Sequence, residues 1–151
     1  MSLLRIQLLG DFNLTYDKLS LLAECCPIRQ ASAVGLEVVQ EALTTADRTG
    51  ERVWQAELLR LQAELLAAQG ARAVEIEANC LQSIGVARDQ LARSLELRAG
   101  ITLASRWQAA GRSSEAYRLL APIYAWFTEG HDTRDLRTAA ALLQVLSAAG
   151  S

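Results

Sequence analysis

The sequence predicts an all-α protein: antiparallel helical hairpins stacked side by side, about seven helices in all. Three observations predict it. Apolar residues recur at three- and four-residue steps from about Tyr16 almost to the end of the chain. Glycines fall where those periodic runs stop. The chain also matches itself when slid by 41 positions, pairing Ala42 with Ser83, Ala46 with Ala87, Arg52 with Arg93, Ala63 with Ala104, Ala68 with Ala109 and Gly70 with Gly111. Small residues recurring at helix contacts and glycines recurring at helix ends are the pattern of a repeat whose single units cannot bury their apolar face alone.

Each element follows from local chemistry. Leu4 to Leu8 and Phe12 to Tyr16 alternate apolar and polar residues around Gly10-Asp11, as a short β-hairpin would. The same residues could instead extend the first helix. Residues 1–15 are therefore read as an N-terminal extension and 16–151 as the helical repeat domain. A first helix runs roughly from Tyr16 to Cys26 and is stopped by Pro27. A second covers about Gln30 to Arg48, with Val34, Val38, Val39, Ala42, Leu43 and Ala46 on one face, closed by Thr49-Gly50. A third, about Glu51 to Gln69, carries Trp54, Leu58, Leu61, Leu65 and Ala68 in a stripe. Its Glu57, Arg60 and Glu64 stand at ion-pairing steps of three and four. Helices four and five run about Ala73 to Gln90 and Arg93 to Ala110. A sixth, capped by Ser113 or Ser114, reaches about Thr128 with Pro122 kinking it. After the turn Glu129 to Asp132 a seventh, capped by Asp132 or Thr133, runs to about Ala148.

Composition narrows the function. A net charge of −2 over 151 residues offers no basic field for nucleic acid. No stretch approaches a membrane span, and Met1 to Gln7, interrupted by Arg5, is not expected to act as a signal peptide. Cys25, Cys26 and Cys80 form no disulfide framework and are read as small apolar fillers in a reducing cytoplasm. His131, the lone histidine, is expected as a solvent-facing or half-packed turn residue, with Asp132 and Asp135 as favourable charges at a helix start. No nucleophile stands beside a base, and no phosphate-binding loop is present. The expectation is a non-enzymatic chain with no catalytic residue, metal or cofactor.

Several stretches resemble a known family. Gly111-Arg112-Ser113-Ser114-Glu115-Ala116 with Leu120 and Ile123 has tetratricopeptide spacing. Glu51 to Leu58, Ser94 to Ala99, and Leu119 to Gly130 followed by Asp132-Thr133 and Asp135-Leu136 add to it. Together, over residues 17–147, they resemble the C-terminal tetratricopeptide region of bacterial signalling ATPases, adenylate-cyclase-like proteins and transcriptional regulators. Leu3 to Phe12 resembles the opening strand of the bacterial transcriptional activator domain. The resemblance implies a right-handed solenoid and a regulatory or scaffold role in bacterial signalling or transcription, the chain being a terminal piece or a shortened relative. The ATPase, cyclase and DNA-binding activities are not implied, because their residues are missing.

Laid on the tetratricopeptide template, Glu57, Arg60, Glu64, Arg98, Thr102, Ser105 and Gln108 line a concave groove, the expected site for a peptide or protein partner. Tyr124, Trp126 and Phe127 are docking aromatics in the same reading, although most aromatics are expected in the core. The alternatives are a sensor holding a small polar ligand in that groove, and self-association into a homodimer through the strand edges of residues 4–16.

Overall fold

The computed structural model describes residues 28–50 and 52–149, with side chains from residue 32 onward. Six helices account for nearly all of it: α1 (Ile28–Thr49), α2 (Gln55–Ala68), α3 (Ala73–Asp89), α4 (Arg93–Ala109), α5 (Ser113–Ala125) and α6 (Arg134–Ala149). The expected hairpin of residues 4–16, the expected helix of residues 16–26, Cys25 and Cys26 lie outside the described residues.

Successive helices pack on one another, and α4 also packs on α2 and on α6. Among the described residues the backbone of α3 does not come close to that of α1 or of α5. The helices therefore form two layers, α2, α4 and α6 in one and α1, α3 and α5 in the other. Short connections fix the directions: helices joined by a few residues and packed together run antiparallel. Two hydrogen bonds confirm this for α2 and α3. Gln90, just past the end of α3, donates from Nε2 to the carbonyl of Arg52, just before α2, at 2.5 Å. Fully buried Ser83 donates from Oγ to the carbonyl of Ala56 at 2.6 Å.

The apolar side chains explain why one hairpin needs the next. Ala63, Ile76, Cys80 and Ile84 from α2 and α3 are sealed by Ala99 and Leu103 of α4. The other flank of α4, Leu97 and Ala104, joins Ala116, Leu120 and Ile123 of α5 and Leu136, Ala139 and Leu146 of α6. Trp107 and Leu119 pack against both clusters and join them. Each fully buried leucine here is worth about 2 kcal/mol of transfer free energy. Gly100 marks a close approach of α4 and α5: a Cβ there would sit 3.0 Å from Ile123 Cδ1.

The internal repeat has two spacings. From α1 to α3 the step is 41, pairing buried Gly35, Val39 and Ala46 with Ile76, Cys80 and Ala87. From α3 to α5 it is 40, pairing Ile76, Cys80 and Ser83 with Ala116, Leu120 and Ile123. The turn Gln69 to Arg72 has one residue more than Ala110 to Arg112, which accounts for the difference. Gly70 and Gly111, both at φ +77°, end α2 and α4. Each is followed by a backbone N–H that reaches back to a carbonyl of the last helical turn: Ala71 to Leu66 at 3.0 Å and Arg112 to Trp107 at 2.8 Å.

Four expectations need correcting. α2 begins at Gln55 rather than Glu51, because the chain spends Arg52 to Trp54 in the turn that reverses it after Gly50. Its buried set is Ala56, Glu57, Leu58, Leu59 and Ala63, not one stripe from Trp54 to Ala68, since α1, α3 and α4 all press on it. α5 stops at Ala125 rather than Thr128; Pro122 removes one donor from its last turn, and Phe127 closes it with a bond to the Tyr124 carbonyl at 3.1 Å. Neither Ser113 nor Ser114 caps it: Arg112 holds the cap position, and no side chain makes a cap hydrogen bond there.

Candidate functional site

The layer of α2, α4 and α6 carries a cleft of about 750 Å³, walled by α2 and α4 on one side and by the α5–α6 turn and the start of α6 on the other. Glu57, Arg60, Glu64 and Arg98, four of the seven residues expected along a groove, line it. One helical turn separates Glu57 from Arg60 and another Arg60 from Glu64, so the three side chains rise along one face of α2. Arg60 donates from Nε and Nη2 to the two oxygens of Glu57 at 3.0 and 2.9 Å, and from Nη1 to Glu64 Oε1 at 2.6 Å.

The network then crosses helices. Arg98 of α4 places Nη1 3.8 Å from Glu57 Oε1 and donates from Nε to Asp135 Oδ2 of α6 at 2.7 Å. Thr102, one turn beyond Arg98, sets its hydroxyl 3.5 Å from Glu64 Oε1 while donating to the Arg98 carbonyl at 3.1 Å. The result is a ladder, Glu64–Arg60–Glu57–Arg98–Asp135, with rungs on three helices. The hydrogen bond to Asp135, together with its charge and that of Glu57, holds the Arg98 guanidinium more firmly protonated than usual. Arg60 is likewise raised, its carboxylate partners outweighing burial.

The ladder is not evenly wet. Glu57 is only 4 % exposed and forms the inner part of the network. A buried carboxylate needs this many donors to stay in place. Glu64 and Arg98 are close to half exposed and form the outward part of the network. Apolar Leu97, Ile101, Phe127 and Leu136 complete the cleft wall. Its charge is mixed, four carboxylates (Glu57, Glu64, Glu129, Asp135) against three guanidiniums (Arg60, Arg98, Arg134).

Thr102, Ser105 and Gln108, expected in the groove, lie further along α4 and do not line this cleft, although Thr102 reaches Glu64 at its edge. The expected docking aromatics divide. Phe127 is half-buried in the cleft wall, and Trp126 beside it is exposed, its ring edge-on to Phe127 with centroids 5.3 Å apart. Tyr124 packs into the core, its hydroxyl 3.2 Å from Nδ1 of exposed His131. Asp135, read from sequence as a helix-end charge, ties α4 to α6; its step of 37 from Arg98, close to the repeat length, was the available signal.

A second carboxylate escaped the sequence reading. Glu96 is 2 % exposed and takes Arg88 Nε at 2.6 Å and Arg93 Nη1 at 2.9 Å. At the other end of α4, Arg112 stacks 4.6 Å from the Trp107 ring centre and bonds Glu77 and Glu115. These bonds hold both carboxyls below their usual range. Cys80, fully buried, is pushed up to about 11 by burial.

A second groove, of about 840 Å³, follows α1 past Gln40 and Gln62, whose amides bond at 3.1 Å. Among the described residues no three His, Cys, Asp or Glu side chains converge as a metal site would require. No described helix is long and apolar enough to cross a membrane. Comparison with protein-family models, with curated proteins and with solved structures returns no match.

Proposed function

We propose that the chain is a tetratricopeptide-like repeat module that binds an extended segment of a partner protein along the cleft of α2, α4 and α6. The supporting observation is the ladder in that cleft. Its inner members are satisfied by one another, which leaves a rigid floor, while Glu64 and Arg98 turn outward beside the apolar wall of Ile101 and Phe127. A floor that need not rearrange, with polar groups of both signs and apolar surface next to them, suits a polypeptide lying across it.

The layer order fits a right-handed solenoid in which the first helix of each hairpin lines the concave side. In that reading the module is the regulatory or scaffold part of a bacterial signalling or transcription-regulator system, it works in the cytoplasm, and it carries out no chemistry of its own. A displayed library of random peptides, selected on the wild-type chain, tests this. Enriched peptides should lose about tenfold in affinity or more against Phe127→Ala and Arg98→Ala. Peptides indifferent to both changes would place binding elsewhere.

One observation favours a second reading. A volume of about 750 Å³ lies in the range of small-molecule pockets. A sensor of that kind should be stabilised by its ligand in a thermal-shift screen of polar metabolites, and a screen without a stabilising compound rejects it.

A further inference from the structure

Phe127 is the aromatic part of the cleft wall, yet the chain around it is thinly held. It lies two residues past the end of α5, in the turn that walls the cleft. Its N–H bonds the Tyr124 carbonyl at 3.1 Å. Among the described residues no further backbone bond follows until Thr133 reaches the Gly130 carbonyl at 2.9 Å. Every residue from Thr128 to Arg134 is exposed. Phe127 rests on the core of α4, α5 and α6, but apolar contact is non-directional and does not by itself aim a ring. Stretches with so few buried contacts stand at the low end of local stability.

Side chains brace it. The ring of Trp126 stands at 84° to that of Phe127, with centroids 5.3 Å apart, an edge-to-face arrangement that aromatic pairs favour. Trp126 is itself 56 % exposed and does not line the cleft. Its hold comes from α4, where the Arg93 guanidinium lies 5.2 Å from its ring centre, within cation–π reach. Arg93 is fixed in turn. Its Nη1 donates at 2.9 Å to Oε2 of buried Glu96, one turn further along α4. Arg88 donates to the other oxygen of the same carboxylate at 2.6 Å. A buried carboxylate held by two charged donors is a firm anchor. From it the contacts run in one line, Glu96 to Arg93 to Trp126 to Phe127, and end at the cleft wall. The turn's other side-chain tie, Tyr124 Oη to His131 Nδ1 at 3.2 Å, lies four residues beyond Phe127.

We infer that Arg93 and Trp126 are positioning residues of the cleft: they set Phe127 in its wall and touch no ligand themselves. The inference rests on the cleft being the binding surface.

One arm of the test needs no partner. In the free chain, Arg93→Gln should shift the NMR signals of the Trp126 indole N–H and of the Phe127 ring. Arg88→Gln removes the other donor of Glu96 and leaves Trp126 its cation, so it controls for a loss that is merely structural; both signals should stay in place. The second arm titrates a library-selected peptide into variants by fluorescence anisotropy. Arg93→Gln and Trp126→Ala should each weaken binding about threefold. The double variant should be no weaker than Trp126→Ala alone, because both act through one ring. Once Phe127→Ala is in place, neither change should lower affinity further. A further loss from Trp126→Ala in that background would mean that the indole meets the peptide directly, and it overturns the inference. So do losses that multiply to about ninefold in the double variant, signals unmoved by Arg93→Gln, or an equal shift in Arg88→Gln. Peptides indifferent to Phe127→Ala, with the two signals following Arg93, would instead strike the cleft reading and leave the brace standing.

Discussion

Replacing Glu57 by glutamine asks how much the ladder contributes to stability. The carboxylate is almost wholly buried, takes two N–H donors from Arg60 and faces Arg98. Breaking a buried ion pair by removing one partner costs about 3–5 kcal/mol. Here Arg60 keeps Glu64 at 2.6 Å, Arg98 keeps Asp135 at 2.7 Å, and glutamine still offers one oxygen. The expected loss is therefore nearer 2–3 kcal/mol, roughly half the cost of a stranded charge. For a domain of this size that lowers the melting temperature by about 5–10 °C. Glu64→Gln removes a pair whose carboxylate is close to half exposed and should cost under about 1 kcal/mol. Urea titration followed by circular dichroism gives both values. High salt should erase the Glu64 effect and leave most of the Glu57 effect. If Glu57→Gln costs no more than Glu64→Gln, the ladder is a surface ornament and the argument for a rigid floor fails.

Other expected outcomes rest on separate observations. Gly100→Leu should destabilise by about 1–3 kcal/mol or more, because its side chain must displace Ile123 and Leu120; chemical denaturation measures it, and a neutral result would mean that α4 and α5 do not approach so closely. Ser83→Ala should cost about 1 kcal/mol by deleting the bond to Ala56, whereas a stabilised variant would contradict the fully buried contact. Cys80, with its thiol pushed up to about 11, should resist alkylation at neutral pH until the chain unfolds, as peptide mass mapping can read residue by residue. Glu77 and Glu115 have folded values lowered chiefly by hydrogen bonds to Arg112. Their contribution is present above the ordinary carboxylate value and is lost as pH falls below about 4.5 through the folded values. Arg112→Met should flatten that acid limb in urea midpoints taken across pH; an unchanged limb would remove Arg112 as its cause.

Much of the fold was legible because it rests on periodicity and on glycine. The helix ends at Thr49, Ala68 and Ala109 follow from Gly50, Gly70 and Gly111, which the sequence places unambiguously. The limits of the α3 helix were likewise readable to within a residue. What the sequence could not reveal was how many sides of a helix are covered. A stripe through Trp54, Leu61 and Leu65 is the natural reading for a helix with one neighbour, but α2 has three. The buried carboxylates have the same origin. Glu57 and Glu96 look like surface residues on a helical wheel and become internal only when α4 is laid beside α2, and when Arg88 reaches across a turn from α3. The tetratricopeptide template lays Glu57, Arg60, Glu64 and Arg98 along one groove, and all four line the cleft. Asp135 and Phe127 were assigned other roles, since their part depends on where α6 starts. Leu91, left-handed at φ +56°, stands 41 positions after Gly50, also left-handed, so the internal repeat marks a position that its side chain does not.

The most direct test of the binding role is an amide NMR titration with a library-selected peptide, mapped onto the assigned chain. Perturbations should gather at Glu57, Arg60, Arg98, Phe127 and Asp135, with little change along the outward faces of α3 and α5. Shifts confined to α1, α3 and α5, or an unperturbed spectrum at large peptide excess, would contradict the cleft as the working surface.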